Sequence, residues 1–571
     1  MKKKTVLLLL ASMVYVTFVS AQDTNEFQRI ARRIMNAYDV GEELEHAPDS
    51  ANFYGGAYLG AGTNGHTMPS AYVTYLKKEK LLITGQLAID ISKLNTEKDV
   101  TTDYHTGADR LTHSDILTKS EKQDFSIRLD YVPVKQHILT FGIIESLNTK
   151  RVDENTVKNG HEADGTEQQS FYEKQHRNNR DLKLGALLQH ICDFNNAGRL
   201  TTRLNIKYNY NPTDVSSDTW AAQSPTSLRE QTQTLYNFDP YAMIRFQSKS
   251  FGGFRFGLEE KYTIEDMRIS DTATRFNFNT YSSLTTLSAN YSHAWLGLDA
   301  TLRYEHFIND IDDHQAPVSD RIYNDWMLSA KATIKLNKAN KFVLSFDRDV
   351  SRPTYTQLYP FVHIGSSIGV MVVGNPVLEP SKSNQIKFSY THSARHLTYT
   401  QSLAYKRITD DISQIPSFDE ASQRSVQTWI NDARYSYLRY TAEGQLNYGV
   451  FSMTMGFRAQ HLTYDDKSGS FDKAWSYSFK ARPQVELPKR WTLATTLLYT
   501  GREAHRYYYD KSSFYWSVRA VKQIDNWAIY AFVQDILQPD AKQILRNNDY
   551  EITTVIKPNS RCLIVGCSYT F

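Results

Sequence analysis

The sequence predicts an all-β protein, a transmembrane antiparallel β-barrel of about 22 strands with a short N-terminal periplasmic helix. Three observations carry this reading. From Tyr54 onward apolar residues recur at every second position. The alternating runs mostly last 10 to 14 residues, longer than the ~5–6 residues of globular strands and enough for the ~9–11 tilted residues that cross a bilayer. Tight and long connections also alternate along the whole chain, as in a barrel with short turns on one side of a membrane and long loops on the other.

The chain opens on Lys2, Lys3 and Lys4, an apolar run from Val6 to Val19, and then Val19-Ser20-Ala21. This is the order of a secretory signal peptide, 1–21, cleaved after Ala21. Its removal takes away three lysines and no acid, which brings the formal charge of +3 to zero. A neutral mature chain argues against a nucleic-acid partner. In 22–53, Phe27, Ile30, Ala31, Ile34, Met35 and Tyr38 recur at helical spacing behind Asn25, which predicts one amphipathic helix followed by an acidic linker. Mean hydropathy of −0.51 fits a soluble protein, but it also fits a barrel that alternates lipid-facing and wet residues. The three cysteines are too few for a disulfide framework, and Cys562 and Cys567 point to opposite faces of one strand.

Strands are expected in 54–571 near 54–61, 68–77, 81–92, 121–134, 136–147, 182–195, 199–212, 236–247, 253–264, 281–293, 296–308, 325–336, 340–350, 384–393, 396–407, 434–448, 451–463, 475–487, 490–501, 512–522, 526–536 and 560–571. Ile83, Leu87, Ile89 and Ile91 alternate with Thr84, Gln86 and Asp90, and Leu328, Ala330, Ala332 and Ile334 with Ser329, Lys331 and Thr333. Connections at Glu79, Lys135, 196–198, 248–252, 337–339, 394–395, Lys489 and 523–525 are tight. Those at 93–120, 148–181, 213–235, 309–324, 351–383, 408–433 and 537–559 are long and mostly polar. A soluble sandwich shares the alternation but has no reason to segregate loop lengths. The last strand arrives from a long loop, so both termini are expected in the periplasm.

That last strand, Arg561 to Phe571, puts Leu563, Val565, Cys567, Tyr569 and Phe571 on one face, with Ile564 breaking the pattern. A terminal aromatic with a second aromatic two places earlier resembles the assembly signal of bacterial outer-membrane barrels. The resemblance implies that Leu563, Val565, Tyr569 and Phe571 are read by the barrel assembly machinery and face the outer-membrane lipid bilayer.

One long connection differs from the others. Arg352-Pro353-Thr354-Tyr355-Thr356-Gln357-Leu358-Tyr359-Pro360-Phe361 is followed, after an uncharged stretch, by Gly374-Asn375-Pro376-Val377-Leu378-Glu379-Pro380-Ser381. Arg352, Pro353, Tyr355, Leu358, Pro360, Phe361, Gly374, Asn375, Pro376, Leu378 and Pro380 match a paired signature. By it the chain resembles the Bacteroidota outer-membrane beta-barrel family, which belongs with the TonB-dependent receptors. Tyr359 and Ser381 depart from it, standing where the family has Asn and Glu. The four prolines remove ladder donors, so the segment cannot continue a strand. The uncharged stretch 364–373 predicts a loop that folds inward or packs on its neighbours; a proline-rich rim without a ligand role is the alternative.

The resemblance covers the barrel only. It implies uptake or transport across the outer membrane by a barrel without the plug domain that full-length members carry. A separate plug, an energy-coupling protein and a surface lipoprotein are the partners left open. The second reading is a structural barrel that anchors a surface lipoprotein or adhesin. No cofactor is expected, and no catalytic or metal-binding constellation stands out: His105, His113, His161 and His176 are scattered over long connections without ligand spacing.

Overall fold

The computed structural model describes residues 52–571, apart from 78–79, 106, 168–169, 195–196, 222–223, 271–274, 313–317, 360–369, 420–423, 466–472, 506–507 and 547–549. The expected signal peptide and periplasmic helix lie outside the described residues. Alternation of apolar and polar residues commits the chain to strands with one dry and one wet face, and strands in a bilayer must leave no unpaired edge. The described residues accordingly form one sheet of twenty-seven strands. Five of these (370–372, 503–504, 508–510, 541–546 and 550–558) are short pieces within connections. The other twenty-two build an antiparallel wall. It closes where Asn52–Gly62 pairs with Cys562–Thr570, from Gly56 opposite Thr570 to Gly62 opposite Ile564.

The outward face is apolar over a belt. Leu87, Phe141, Leu188, Ile244, Leu258, Leu344, Phe388 and Val565 point away from the wall and are exposed on the protein alone. Aromatic residues edge the belt at both ends, Trp295, Tyr448, Trp491 and Trp527 by the short turns and Tyr262, Tyr281, Trp326 and Tyr405 by the long connections. A carboxylate within this face is held by its neighbours: Glu260 accepts hydrogen bonds from Ser283 (2.7 Å) and Thr285 (2.6 Å), whose hydroxyls share the outward row.

The inward face is polar and largely paired. Lys331 Nζ meets Asp299 at 2.9 Å, Arg245 pairs with Glu259, and His66 Nε2 donates to Asp90 at 2.9 Å. Arg128 forks onto Asp130 at 2.7–3.0 Å, and Thr140 also donates to Asp130. At the seam the inward face turns apolar. Ile564 packs with Tyr530, Phe532 and Cys562 there, which explains its break in the terminal strand: it faces the lumen while Leu563 and Val565 face outward. Tyr530 stacks on Tyr58 at 5.3 Å and lies over Gly566, where a Cβ would come within 1.8 Å of its hydroxyl oxygen. The three cysteines are free.

The long connections correct one expectation. Regions read as polar loops at 93–120, 148–181, 213–235 and 408–433 are continued strands. Leu81–Tyr104, Asp109–Val134, His137–His161, Phe171–Phe194, Gly198–Ala221 and Ser224–Ser248 run 24 to 26 residues each, and Leu397–Asp419 and Arg424–Tyr448 run 23 and 25. The six strands of 81–248 stay paired far beyond the belt, as far as Lys158 opposite Phe171 and Phe171 opposite Ala221. The hairpin of 541–546 and 550–558 extends this palisade by pairing with Thr96–Tyr104. Extended ladders satisfy every backbone donor and acceptor, and side chains that are polar on both faces suit a sheet wetted on both sides.

Candidate functional site: a loop latched inside the barrel

The paired motif forms one unit on the lumen side of the wall. Pro353 ends the strand Asn340–Ser351, and a single helical turn, Tyr355–Leu358, follows behind Thr354, whose backbone N–H donates to the Gln357 side chain at 2.8 Å. The second half returns close to this turn: Gly374 N donates to Tyr359 O at 2.7 Å and Asn375 N to Gln357 O at 2.5 Å. The approach admits only glycine at 374, since a Cβ there would lie 2.3 Å from Tyr359 O. Asn375 Oδ1 accepts from Val377 N at 3.0 Å to fix the next turn, and its amide donates to Trp429 O at 2.8 Å.

Leu358, Tyr359 and Leu378 are buried in a cluster with Met267, Ile269, Phe276, Phe278 and Ile311. Met267 and Ile269 share their strand face with Glu259 and Lys261, opposite the lipid-facing Leu258, Tyr262 and Ile264, so the loop packs inward. Phe276 meets Tyr359 edge-on at 5.3 Å, and Gln233 donates to the Tyr359 hydroxyl at 3.2 Å. Tyr355 packs against the same cluster; burial holds its phenol above the usual range, and the carboxylates of Glu265 and Asp181 push it the same way.

Arg352 is the latch. Glu305 and Asp325 lie directly opposite each other on neighbouring strands, on the lumen face. Two acids in that relation repel. Arg352 resolves the conflict by donating to Glu305 at 2.6 and 3.2 Å and to Asp325 at 2.9 Å, with its guanidinium 4.3 Å from the Phe307 ring and 5.1 Å from Tyr323. On the far side Arg321 donates to Leu378 O at 3.0 Å, and Asn431 bonds both the N–H and the carbonyl of Glu379.

The structure therefore brings Arg352, Pro353, Tyr355, Leu358, Gly374, Asn375, Pro376, Leu378 and Pro380 together; Pro360 and Phe361 lie outside the described residues. Sequence reasoning missed the partners Glu305, Asp325, Trp429 and Asn431. The two facing acids were the available signal, because their positions follow from the pairing of 296–308 with 325–336. The terminal residues form a separate feature: Leu563 and Val565 face outward, and Tyr569 packs on Trp527 at 4.8 Å and on Phe571 at 6.3 Å. Among the described residues no group of three or more His, Cys, Asp or Glu side chains is placed to hold a metal ion.

A family model described as the outer membrane protein beta-barrel family matches residues 258–569, more than half of the chain and all of the latched loop. The chain belongs to this family. No curated protein matches the sequence. Among solved structures this outer-membrane barrel is similar to the copper transporter OprC, at 11% identity over 92% of this chain and 81% of that one, with a TM-score of 0.65. It is also similar to the FrpB iron transporter from Neisseria meningitidis in its F3-3 variant (9% identity, 94% and 83% covered, TM-score 0.61). The siderophore receptor PirA from Pseudomonas aeruginosa is a third (11%, 92% and 81%, TM-score 0.56). At these identities the likeness shows a shared fold, that of TonB-dependent receptors.

Proposed function

We propose that this protein is an uptake barrel of the TonB-dependent type, in which the loop 352–380 narrows the lumen and sets what passes. In this reading the palisade rises outside the cell and both termini lie in the periplasm. The observation that supports it most is the latch: a closed wall alone needs no inward arginine, whereas a loop clamped between two lumen-facing acids and an apolar cluster occupies the route a solute would take. A barrel of this strand number encloses a lumen wide enough to conduct unless something fills it.

Planar-bilayer recordings test this. Replacing 353–379 by a short turn is expected to leave the barrel assembled and to raise its conductance several-fold over the parent. Equal conductance of the two proteins would show that the loop does not stand in the pathway.

A further inference from the structure

Just above the belt, on its outward face, the wall carries a cleft of about 400 Å³. Tyr208, Tyr236 and Phe238 form its aromatic side, and Arg268, Arg275 and Asn277 line the other. Pairing sets this arrangement. Arg268 lies between Tyr236 on one neighbouring strand and Asn277 on the other, and Arg275 is opposite Ser270, diagonal to Arg268 on the same face. That face is continuous with Ile264 and Tyr281, where the lipid-facing row ends. A lipid whose acyl chains lie against the belt therefore presents its headgroup here.

The chemistry of the cleft is mixed and only partly satisfied. Arg268 donates to Asp266 at 2.8 and 3.1 Å. Among the described residues, Asp266 is the one lining carboxylate beside the guanidinium groups of Arg268 and Arg275. Among the described residues, Asn277 Oδ1 is buried without a hydrogen-bond partner. Guanidinium groups suit phosphate oxygens, aromatic faces suit the flat side of a sugar, and an unmet amide oxygen suits a hydroxyl or amide donor.

We propose that this cleft binds the phosphorylated amino-sugar headgroup of a glycolipid in the leaflet at the palisade end, with Arg268 and Arg275 on phosphate and Asn277 on a sugar donor. The assignment of that leaflet as the outer one rests on the orientation proposed above. Full-length protein extracted in mild detergent and stripped of lipid would be mixed with lipid A and analysed by native mass spectrometry. The parent is expected to retain lipid A, and the Arg268→Ala/Arg275→Ala double variant to lose about tenfold in retention, as expected for losing charge-assisted contacts. Asn277→Ala is expected to lose less. Dephosphorylated lipid A, phosphatidylglycerol and inorganic phosphate serve as separate arms. Equal retention by parent and double variant overturns the proposal, as does dephosphorylated lipid A or phosphatidylglycerol binding as well as lipid A. Retention of inorganic phosphate alone also overturns it. Conductance of the double variant should match the parent, so this test fails or succeeds apart from the one on the loop.

Discussion

The palisade of 81–248 and the latched sector of 254–393 are built from the same kind of wall strand, yet their long connections go opposite ways. In the palisade the strands rise as paired ribbons; between Asn340–Ser351 and Ser381–Ser393 the chain turns into the lumen. Two local properties account for the difference. The ribbons carry no proline across 135–181, and where proline does occur in the ribbon of the next pair, at Pro212 and Pro225, it stands singly and the ladder continues past it. The inward loop has Pro353, Pro360, Pro376 and Pro380, which break the ladder, and Leu358, Tyr359 and Leu378, which need apolar cover. The neighbouring wall supplies that cover through Met267, Ile269, Phe276, Phe278 and Ile311. A long connection thus folds inward where broken pairing coincides with a dry patch on the inner wall.

The comparison breaks most sharply at Arg352. Arg352→Leu leaves Glu305 and Asp325 facing each other without a cation, and loss of one partner from a largely buried ion pair costs about 3–5 kcal/mol. The loop is expected to detach, with fast proteolysis inside 353–379, while the wall keeps its folded migration on unheated gels. Arg352→Lys should rescue only in part, because an ammonium keeps the charge but lacks the planar five-donor fork and its stacking on Phe307 and Tyr323. Next in size is Leu358→Ala, which opens a cavity in the cluster at about 2–5 kcal/mol. Its protease sensitivity should lie between those of the parent and Arg352→Leu. A loop no easier to cleave in either variant would mean that prolines alone hold it inside.

How much of this was legible in the sequence follows from what alternation can signal. Where one row is greasy and the other polar, as at Leu328 to Ile334, the period of two locates a strand, and the even strand number predicts closure. The ribbon segments carry polar residues in both rows, so the same period is present without contrast, and they read as loops. Ile564 read as a break because an apolar residue in the wet row had no visible partner; Tyr530 and Phe532 provide one. Tyr359 stands where the family signature has Asn; it is buried and accepts a hydrogen bond from Gln233 through its hydroxyl. The latch stayed hidden because it depends on cross-strand register, which places Glu305 beside Asp325 only after the strands are paired.

A smaller effect is expected on the palisade side. Replacing 149–180 by an Asn-Gly turn removes ribbon that lies beyond the belt and contributes nothing to the buried cluster around Tyr359. The barrel should assemble, its conductance should stay that of the parent, and amide exchange should rise only in the newly unpaired edges at 109–120 and 213–221. A failure to insert would show that the ribbons help to build the wall rather than crown it.

The smallest effect is a pH dependence confined to the palisade. His113 Nδ1 donates to Asp99 at 2.6 Å, and Lys557 reaches the same carboxylate at 3.0 Å, tying the 541–558 hairpin to the ribbons. The bond to Asp99 raises His113 above its ordinary 6.5, and the bonds to His113 and Lys557 hold Asp99 below its ordinary 3.8. A raised histidine stabilises fully below its unfolded value and loses that contribution as pH rises through the folded one. A depressed carboxylate stabilises above its unfolded value and loses that contribution as pH falls through the folded one. The pair is therefore closed between about pH 4 and somewhat above pH 6.5. Exchange of amides at 96–104 and 110–118, corrected for intrinsic rate, should quicken modestly from pH 6 to pH 9, with Lys557 limiting the change. His113→Asn should abolish the dependence, and the loop around Arg352, clamped without a histidine, should show none; a parallel response there would mean that the two regions open together.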